Sequence, residues 1–248
     1  VVRYVGFKVY DPAYVAIEEG FFARRGVDVQ LVGDVLAGPT AIQAVASGSA
    51  EAGLSSVPAL INANAAGLPV QGVVDIQTTF ENQPLQRWYV RSDSPIRSLR
   101  DLPGHTYAVN LWKSSFHYTT LRALGDAGVP PSTVTFQLLS FPDQVNALLA
   151  GKVDVIGLIP PYQGYLLAEH GGEVRELWND YNYYGSKHVS LIFVNRLWAQ
   201  YNPQTAQAFA LGVSDAVEWI EGHQEEAAAI IAKYTDIDPA AVGQYHFT

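Results

Sequence analysis

Two stretches of this sequence share one build: AIQAVASGSAEAGL at residues 41–54 and DQVNALLAGKVDVI at residues 143–156. Each has the apolar spacing of a short amphipathic helix, followed by a glycine, a charged residue and an apolar strand. Proline follows each strand closely, at Pro58 and at Pro160-Pro161, which predicts the start of another helix. Because this unit occurs twice, about 100 residues apart, the sequence predicts two α/β domains of related build.

The composition is that of a folded globular protein. The chain has 248 residues, of which 48% are hydrophobic and 16% charged, enough for one large or two ordinary domains. The net charge of −9 argues against a nucleic-acid partner, which needs a basic face. Without cysteine there is no disulfide, thiol nucleophile or Cys-ligated metal. Val1 in place of an initiator Met is expected for a processed or trimmed chain, and a removed secretory signal fits it.

The alternation of predicted strands and helices sets the domain organisation. One α/β series precedes residue 80, a second runs through residues 106–170, and the end of the chain is helical. Strands that alternate with helices indicate mainly parallel sheets. We therefore predict lobe I at 1–86 plus 195–248, lobe II at 92–188, and hinge crossings at 87–91 and 189–194.

Several short motifs, in their order and spacing, resemble a known family. They are GF at 6–7, PAYVA at 12–16, EGFF at 19–22, GVDV at 26–29, ASGSAEAG at 46–53, RSDSPI at 91–96, LRDLPG at 99–104 and ALLAGKVD at 147–154. This pattern is similar to the solute-binding proteins of ABC importers, in the branch for nitrate, sulfonates, taurine and thiamine precursors that includes riboflavin-binding-like members.

The resemblance implies a two-lobed type II periplasmic-binding fold with the ligand in the cleft between the lobes. It further implies a monomer that delivers a small molecule to a membrane permease and its ATPase. The expected location is periplasmic or extracytoplasmic, with or without a lipid anchor. No cofactor, metal or nucleic acid is expected.

Candidate binding residues come from one rule: in open α/β sheets, ligands bind beyond the carboxyl ends of the strands. The rule selects loops and helix starts in both lobes. The candidates are Tyr10, Thr40, Ser55 and Ser56 in lobe I, Trp88 in the first crossing, and Trp112, Lys113, Ser114, Ser115, Phe116, Tyr162, Tyr183 and His188 in lobe II.

The segment WKSSF at 112–116 is the strongest of these candidates. It follows a predicted strand and opens a predicted helix, where backbone N–H groups and the helix dipole favour a negative or electron-rich group. Two interpretations stay open for Ser114 and Ser115, namely helix capping and ligand contact. Capping is also the alternative for Ser55 and Ser56.

The predicted loops carry many aromatic rings and few cations, which suits a planar heteroaromatic ligand. We expect a vitamin or vitamin precursor, riboflavin-like or thiamine-pyrimidine-like. One alternative is a sulfonate, nitrate-type or aromatic carboxylate anion, and another is a ligand-sensing domain of a regulator. A hydrolase is disfavoured, because the sequence has no Gly-x-Ser-x-Gly elbow and no metal-spaced pair of histidines. The protein is therefore predicted not to be an enzyme.

Overall fold

A computed structural model describes residues 1–245, which form two compact units. Unit 1 comprises Val1–Thr78 and the chain from His188 onward, and unit 2 comprises Thr79–Lys187. Residues 246–248, which are predicted to belong to lobe I, lie outside the described part of the chain. No helix within residues 1–245 is both long enough and apolar enough to span a bilayer.

The strands and helices alternate along most of the chain. The strands are β1 (Val2–Phe7), β2 (Val29–Val35), β3 (Ala52–Ser56), β4 (Val70–Thr79), β5 (Arg87–Arg91), β6 (Thr106–Val109), β7 (Thr135–Leu138), β8 (Ile156–Leu158), β9 (Val174–Asn179) and β10 (Lys187–Asn195). The helices are α1 (Pro12–Glu18), α2 (Phe21–Arg24), α3 (Gly38–Ala46), α4 (Val57–Ala65), α5 (Ser115–Asp126), α6 (Phe141–Leu149), α7 (Tyr162–His170), α8 (Tyr181–Tyr184), α9 (Arg196–Tyr201), α10 (Pro203–Gly222), α11 (Gln224–Thr235) and α12 (Pro239–Val242). The predicted α/β class is confirmed.

Unit 1 is built on a five-stranded sheet in the order β2-β1-β3-β10-β4. Strand β1 runs parallel to β2 and to β3, whereas β10 runs antiparallel to β3. Helices α3 and α4 bury their apolar faces on this sheet. The cluster that they form includes Val5, Ala41, Ile42, Val45, Leu60 and Phe193.

Unit 2 repeats this arrangement in two pieces. Strands β6 and β7 pair in parallel, and β5 pairs antiparallel with β8 on one side and β9 on the other. A bridge between Tyr107 and Val155 joins the pieces, and the Ala108 N–H donates to the Val155 carbonyl at 2.8 Å. The resulting order, β7-β6-β8-β5-β9, matches that of unit 1 strand for strand. The stretches 41–54 and 143–156 therefore occupy corresponding positions, as α3 with β3 and as α6 with β8.

The two segments predicted as crossings are central strands. Residues 87–91 form β5 in the sheet of unit 2, and residues 189–194 lie in β10 in the sheet of unit 1. Strand β10 pairs antiparallel with β3, and β5 pairs antiparallel with β8 and β9, as expected for a strand that the chain reaches without a helical crossover.

The unit boundaries also differ from the predicted ones. Residues 79–86 belong to unit 2 and His188 belongs to unit 1. The buried carboxylate of Asp180 explains the first difference, because its Oδ1 accepts from the Thr79 hydroxyl at 2.8 Å and from the Gln86 N–H at 3.3 Å. These bonds join residues about 100 positions apart, and the local sequence carries no trace of them.

Local signals set the helix ends as predicted. Gly48 and Gly151 follow α3 and α6 with φ of +78° and +68°, a conformation that costs glycine little. Asp11 caps α1 by accepting from the Ala13 N–H at 2.9 Å, with Pro12 in the first helical position. The two glycines therefore mark the ends of α3 and α6, and the Asp11 cap marks the start of α1 after the loop that follows β1.

Candidate functional site

The start of α5 is a tightly tied turn. Ser114 caps the helix, because its Oγ accepts from the His117 N–H at 3.3 Å, and the same hydroxyl donates to Asn110 Oδ1 at 2.8 Å. Lys113 has φ of +62°, in the left-handed region that non-glycine residues seldom occupy. Its N–H donates to His117 Nδ1 at 3.2 Å. Strain of this kind is concentrated at functional sites.

Trp112 stands at this turn with its side chain 44% exposed. Its ring meets the rings of His117 and Phe136 edge-on, with centroids 4.9 and 5.9 Å away. Burial lowers the pKa of His117, which favours the neutral imidazole. The turn thus presents a large ring beside a half-buried histidine and the exposed Lys113.

Ser115 and Phe116 point into unit 2. The Ser115 hydroxyl donates to Gln86 Oε1 at 3.3 Å, and the Thr119 hydroxyl donates to the same atom at 3.2 Å. Phe116 is 4% exposed and packs against Trp88 and Phe141, with centroids 5.2 and 5.4 Å away. Both predicted contact residues are engaged inside unit 2 in this structure.

Trp88 lies at the centre of a buried ring cluster. It is fully buried and stacks on Trp178 with a centroid separation of 3.7 Å and an interplanar angle of 6°. Tyr162 extends the cluster by packing on Phe141 at 5.3 Å. Trp88, Phe116 and Tyr162, which are predicted to face a ligand, all lie in the core of unit 2.

The tyrosine-rich helix α8 borders the same cluster. Tyr183 is half-buried and its ring meets Trp178 edge-on at 5.2 Å. Just before α8, the buried Asp180 pairs with Lys187, whose Nζ lies 3.5 Å from Oδ2. Burial raises the pKa of Asp180 and lowers that of Lys187. The Lys187 ammonium group therefore pairs with Asp180 inside unit 2.

In unit 1 two helix starts meet at Ser55. Its side chain is fully buried, and its Oγ has no hydrogen-bond partner within residues 1–245. The first residue of α3, Gly38, lies so close that a Cβ added there would sit 2.3 Å from this oxygen. Ser56 precedes α4 but makes no side-chain cap, and Ala37 makes none before α3. The predicted capping alternative for Ser56 therefore does not hold.

Tyr10 is hydrogen-bonded to Gln77, a residue that is not among the predicted candidates. Tyr10 is buried, its ring lies 5.5 Å from that of Tyr245, and burial raises its pKa. Its carbonyl oxygen accepts from Gln77 Nε2 at 3.4 Å. Gln77 is 1% exposed, and its Oε1 has no partner in the described part of the chain. The only sequence signal for Gln77 is a polar residue near the end of a strand.

The two remaining candidates are exposed and belong to unit 1. Thr40 lies in the first turn of α3. His188 Nδ1 contacts the Asp75 carboxylate and lies 3.2 Å from the Thr78 hydroxyl. Unit 1 thus brings Ser55 together with Gly38, and Tyr10 with Gln77, whereas His188 contacts Asp75 and Thr78 near the end of β4.

Comparison with known proteins places these features in a family. A family model described as NMT1/THI5 like matches residues 9–227. A protein of Escherichia coli strain K12 named for binding aliphatic sulfonates is 27% identical over 209 residues, covering 84% of this chain and 63% of that protein.

Two further relatives are named for different ligands. The riboflavin-binding protein RibY of Chloroflexus aurantiacus is 31% identical over 150 residues, which are 59% of this chain and 40% of RibY. The formylaminopyrimidine-binding protein of Halalkalibacterium halodurans is 26% identical over 230 residues, which are 90% of this chain and 66% of that protein. The chain thus spans 40% to 66% of the length of these relatives.

Solved structures show the same fold. The periplasmic aliphatic sulphonate binding protein SsuA from Escherichia coli matches with a TM-score of 0.82 and 25% identity, over 100% of this chain and 83% of that one. The periplasmic nitrate-binding protein NrtA from Synechocystis PCC 6803 matches with a TM-score of 0.79 and 14% identity, over 99% and 71% of the two chains. The predicted periplasmic-binding fold is confirmed.

Proposed function

Because the chain belongs to the NMT1/THI5-like family, we propose that it is an extracytoplasmic solute-binding protein of an ABC importer. It captures a planar heteroaromatic vitamin or precursor, riboflavin-like or thiamine-pyrimidine-like, and delivers it to a membrane permease with its ATPase. It acts by binding and not by catalysis. Relatives named for riboflavin and for a formylaminopyrimidine support this ligand class.

The observation that carries the ligand class is the placement of Trp112. A tryptophan that is 44% exposed at a helix start offers a large surface on which a flat ring can stack. The left-handed Lys113 and the Ser114 cap hold the turn in one conformation. A ring held in this way loses little conformational entropy when a ligand binds.

Polar groups of unit 1 are a second feature that supports the proposal. Ser55 Oγ is buried and has no partner within residues 1–245, and it lies beside the starts of α3 and α4. Helix starts attract electron-rich groups through their N–H donors and the helix dipole. The carbonyl oxygens and ring nitrogens of a heteroaromatic ligand are groups of this kind.

An oxyanion such as a sulfonate is the second candidate ligand. The specific observation in its favour is that neither Ala37 nor Ser56 caps its helix with a side chain, which leaves both helix starts suited to an anion. The Escherichia coli relative named for aliphatic sulfonates points the same way.

A titration of the wild-type protein separates the two candidates. Tryptophan fluorescence is followed as riboflavin, hydroxymethylpyrimidine, taurine and nitrate are added in separate experiments. We expect one of the two ring compounds to bind tightly, and Trp112→Ala to weaken that binding about tenfold because a stacking surface is lost.

The control is Tyr201→Ala, which removes an aromatic side chain that is 85% exposed in α9. We expect its affinity to equal that of the wild type. Tight binding of taurine or nitrate alone would contradict the heteroaromatic proposal and favour the second candidate.

A further inference from the structure

Gln77 carries an unmet hydrogen-bonding capacity in unit 1. The side chain is 1% exposed, and its Oε1 accepts no hydrogen bond within residues 1–245. A buried carbonyl oxygen without a donor destabilises a folded protein, and most such atoms in proteins are paired. An oxygen left in this state therefore requires an explanation.

The orientation of the Gln77 amide is determined by its neighbour. Nε2 donates to the Tyr10 carbonyl oxygen at 3.4 Å. A flipped amide would set Oε1 against that carbonyl, with two acceptors face to face. The unpaired atom is therefore the acceptor Oε1 and not the donor Nε2.

The position of this amide links it to the proposed site. Tyr10 belongs to the loop that follows β1, and such loops hold the ligands of open α/β sheets. Gln77 lies two residues before the end of β4. A carbonyl oxygen beside such a loop can contribute to ligand binding only by accepting a hydrogen bond.

We propose that Gln77 is a specificity residue whose Oε1 accepts a hydrogen bond from an N–H group of the ligand. This proposal rests on the proposed function, since it assigns the chemistry of the same site. An imide, amide or amine N–H on the edge of a heteroaromatic ring satisfies Oε1. A sulfonate or nitrate group offers acceptors alone, so Oε1 repels it and discriminates against it.

The test compares two ligands that differ at one N–H group. Calorimetry measures the affinity of the wild type and of Gln77→Met for riboflavin and for riboflavin methylated at the ring imide nitrogen. We expect the wild type to prefer riboflavin about tenfold, the value of one hydrogen bond. Because Met is close to Gln in size, Gln77→Met removes this preference without opening space for the methyl group.

Gln163→Met is the matched control. Gln163 is 7% exposed, and its Nε2 donates at 2.8 Å to the carbonyl oxygens of Leu85 and Leu158. We expect Gln163→Met to lower the thermal midpoint of the unliganded protein clearly and Gln77→Met to change it much less. Some loss is expected for Gln77→Met, because it also loses the 3.4 Å bond from Nε2 to the Tyr10 carbonyl oxygen. A loss equal to that of Gln163→Met would show that the Gln77 amide mainly serves folding and would overturn the proposal.

The outcomes distinguish an error in the role of Gln77 from an error in the proposed ligand class. If both ligands bind Gln77→Met with the wild-type preference, the role of Gln77 is wrong and the ligand class stands. If the wild type binds ethanesulfonate and no riboflavin, the ligand class is wrong. In that case the role of Gln77 still predicts that Gln77→Met binds ethanesulfonate more tightly, and an unchanged affinity would overturn it.

Discussion

Units 1 and 2 share a strand order but differ in how particular serine and glutamine side chains are used. In unit 2, Ser114 and Ser140 each cap a helix by accepting a backbone N–H, and Gln86 Oε1 accepts from two hydroxyls. In unit 1, the Ser56 side chain does not cap α4, and within residues 1–245 Ser55 Oγ and Gln77 Oε1 have no hydrogen-bond partner. One topology therefore supports serines that cap helices in unit 2 and a buried, unpaired serine in unit 1.

Within unit 2, neighbouring aromatic residues differ in exposure. Trp88 is buried against Trp178 and Phe116, whereas Trp112 is 44% exposed and meets the His117 and Phe136 rings edge-on. Trp112 therefore differs from Trp88 in having a ring surface open to solvent.

The largest expected effect tests whether Trp88 is a core residue. Trp88→Ala removes a fully buried ring from the cluster, and such a change costs about 3–5 kcal/mol of unfolding free energy. Urea denaturation measures the loss. Trp112→Ala, at an exposed ring, is the matched variant and should lose less than about 1 kcal/mol. Similar losses in the two variants would contradict the assignment of Trp88 to the core.

A second, pH-dependent effect concerns the residues that cap corresponding helices. Helix α1, which follows β1, is capped by Asp11, whereas α5, which follows β6, is capped by Ser114. Burial is the main cause that raises the pKa of Asp11 to about 7. Because the folded state then binds more protons than the unfolded state, Asp11 lowers stability as the pH rises from about 4 to 7.

Asp11→Asn isolates this contribution. The difference in unfolding free energy between the variant and the wild type should shift in favour of the variant as the pH rises from 4 to 7, and should then stay level. Denaturation at several pH values measures the shift. Since Ser114 does not titrate, Ser114→Asn should show no comparable shift. A difference for Asp11→Asn that stays constant over this range would contradict the account.

Local sequence determines more of the fold than of the site. The helix–glycine–strand stretches at 41–54 and 143–156 and the Asp11-Pro12 start are visible because glycine and proline act on their own backbone. The unit boundary lies at residue 79 and not at the predicted residue 86, because the Thr79 hydroxyl donates to Asp180 of unit 2. A hydrogen bond across 101 positions leaves no local pattern.

The site was predicted as a set of loops but not as a set of contacts. Helix α5 starts shortly after the end of β6, and Ser55 and Ser56 lie at the end of β3. Whether a ring there is free depends on distant partners: Trp88 is covered by Trp178 and Phe116. The sequence does not single out Gln77, because the lack of a partner for its Oε1 within residues 1–245 depends on three-dimensional packing.

Ser55→Ala tests whether the unpaired hydroxyl of Ser55 serves the ligand. Within residues 1–245 this buried hydroxyl has no partner, so its replacement with a methyl group removes a desolvation penalty and a proposed ligand contact together. The control is Ser94→Ala, because Ser94 is also buried but its Oγ accepts from the Ile96 N–H at 3.2 Å. That variant should lose stability and keep the wild-type affinity.

The measurement is the unfolding free energy of Ser55→Ala together with its affinity for the ligand that the wild-type titration identifies. We predict that stability rises by about 1 kcal/mol while the dissociation constant increases about tenfold. A variant that loses stability and binds as tightly as the wild type would contradict the claim, because Ser55 would then serve the fold and not the ligand.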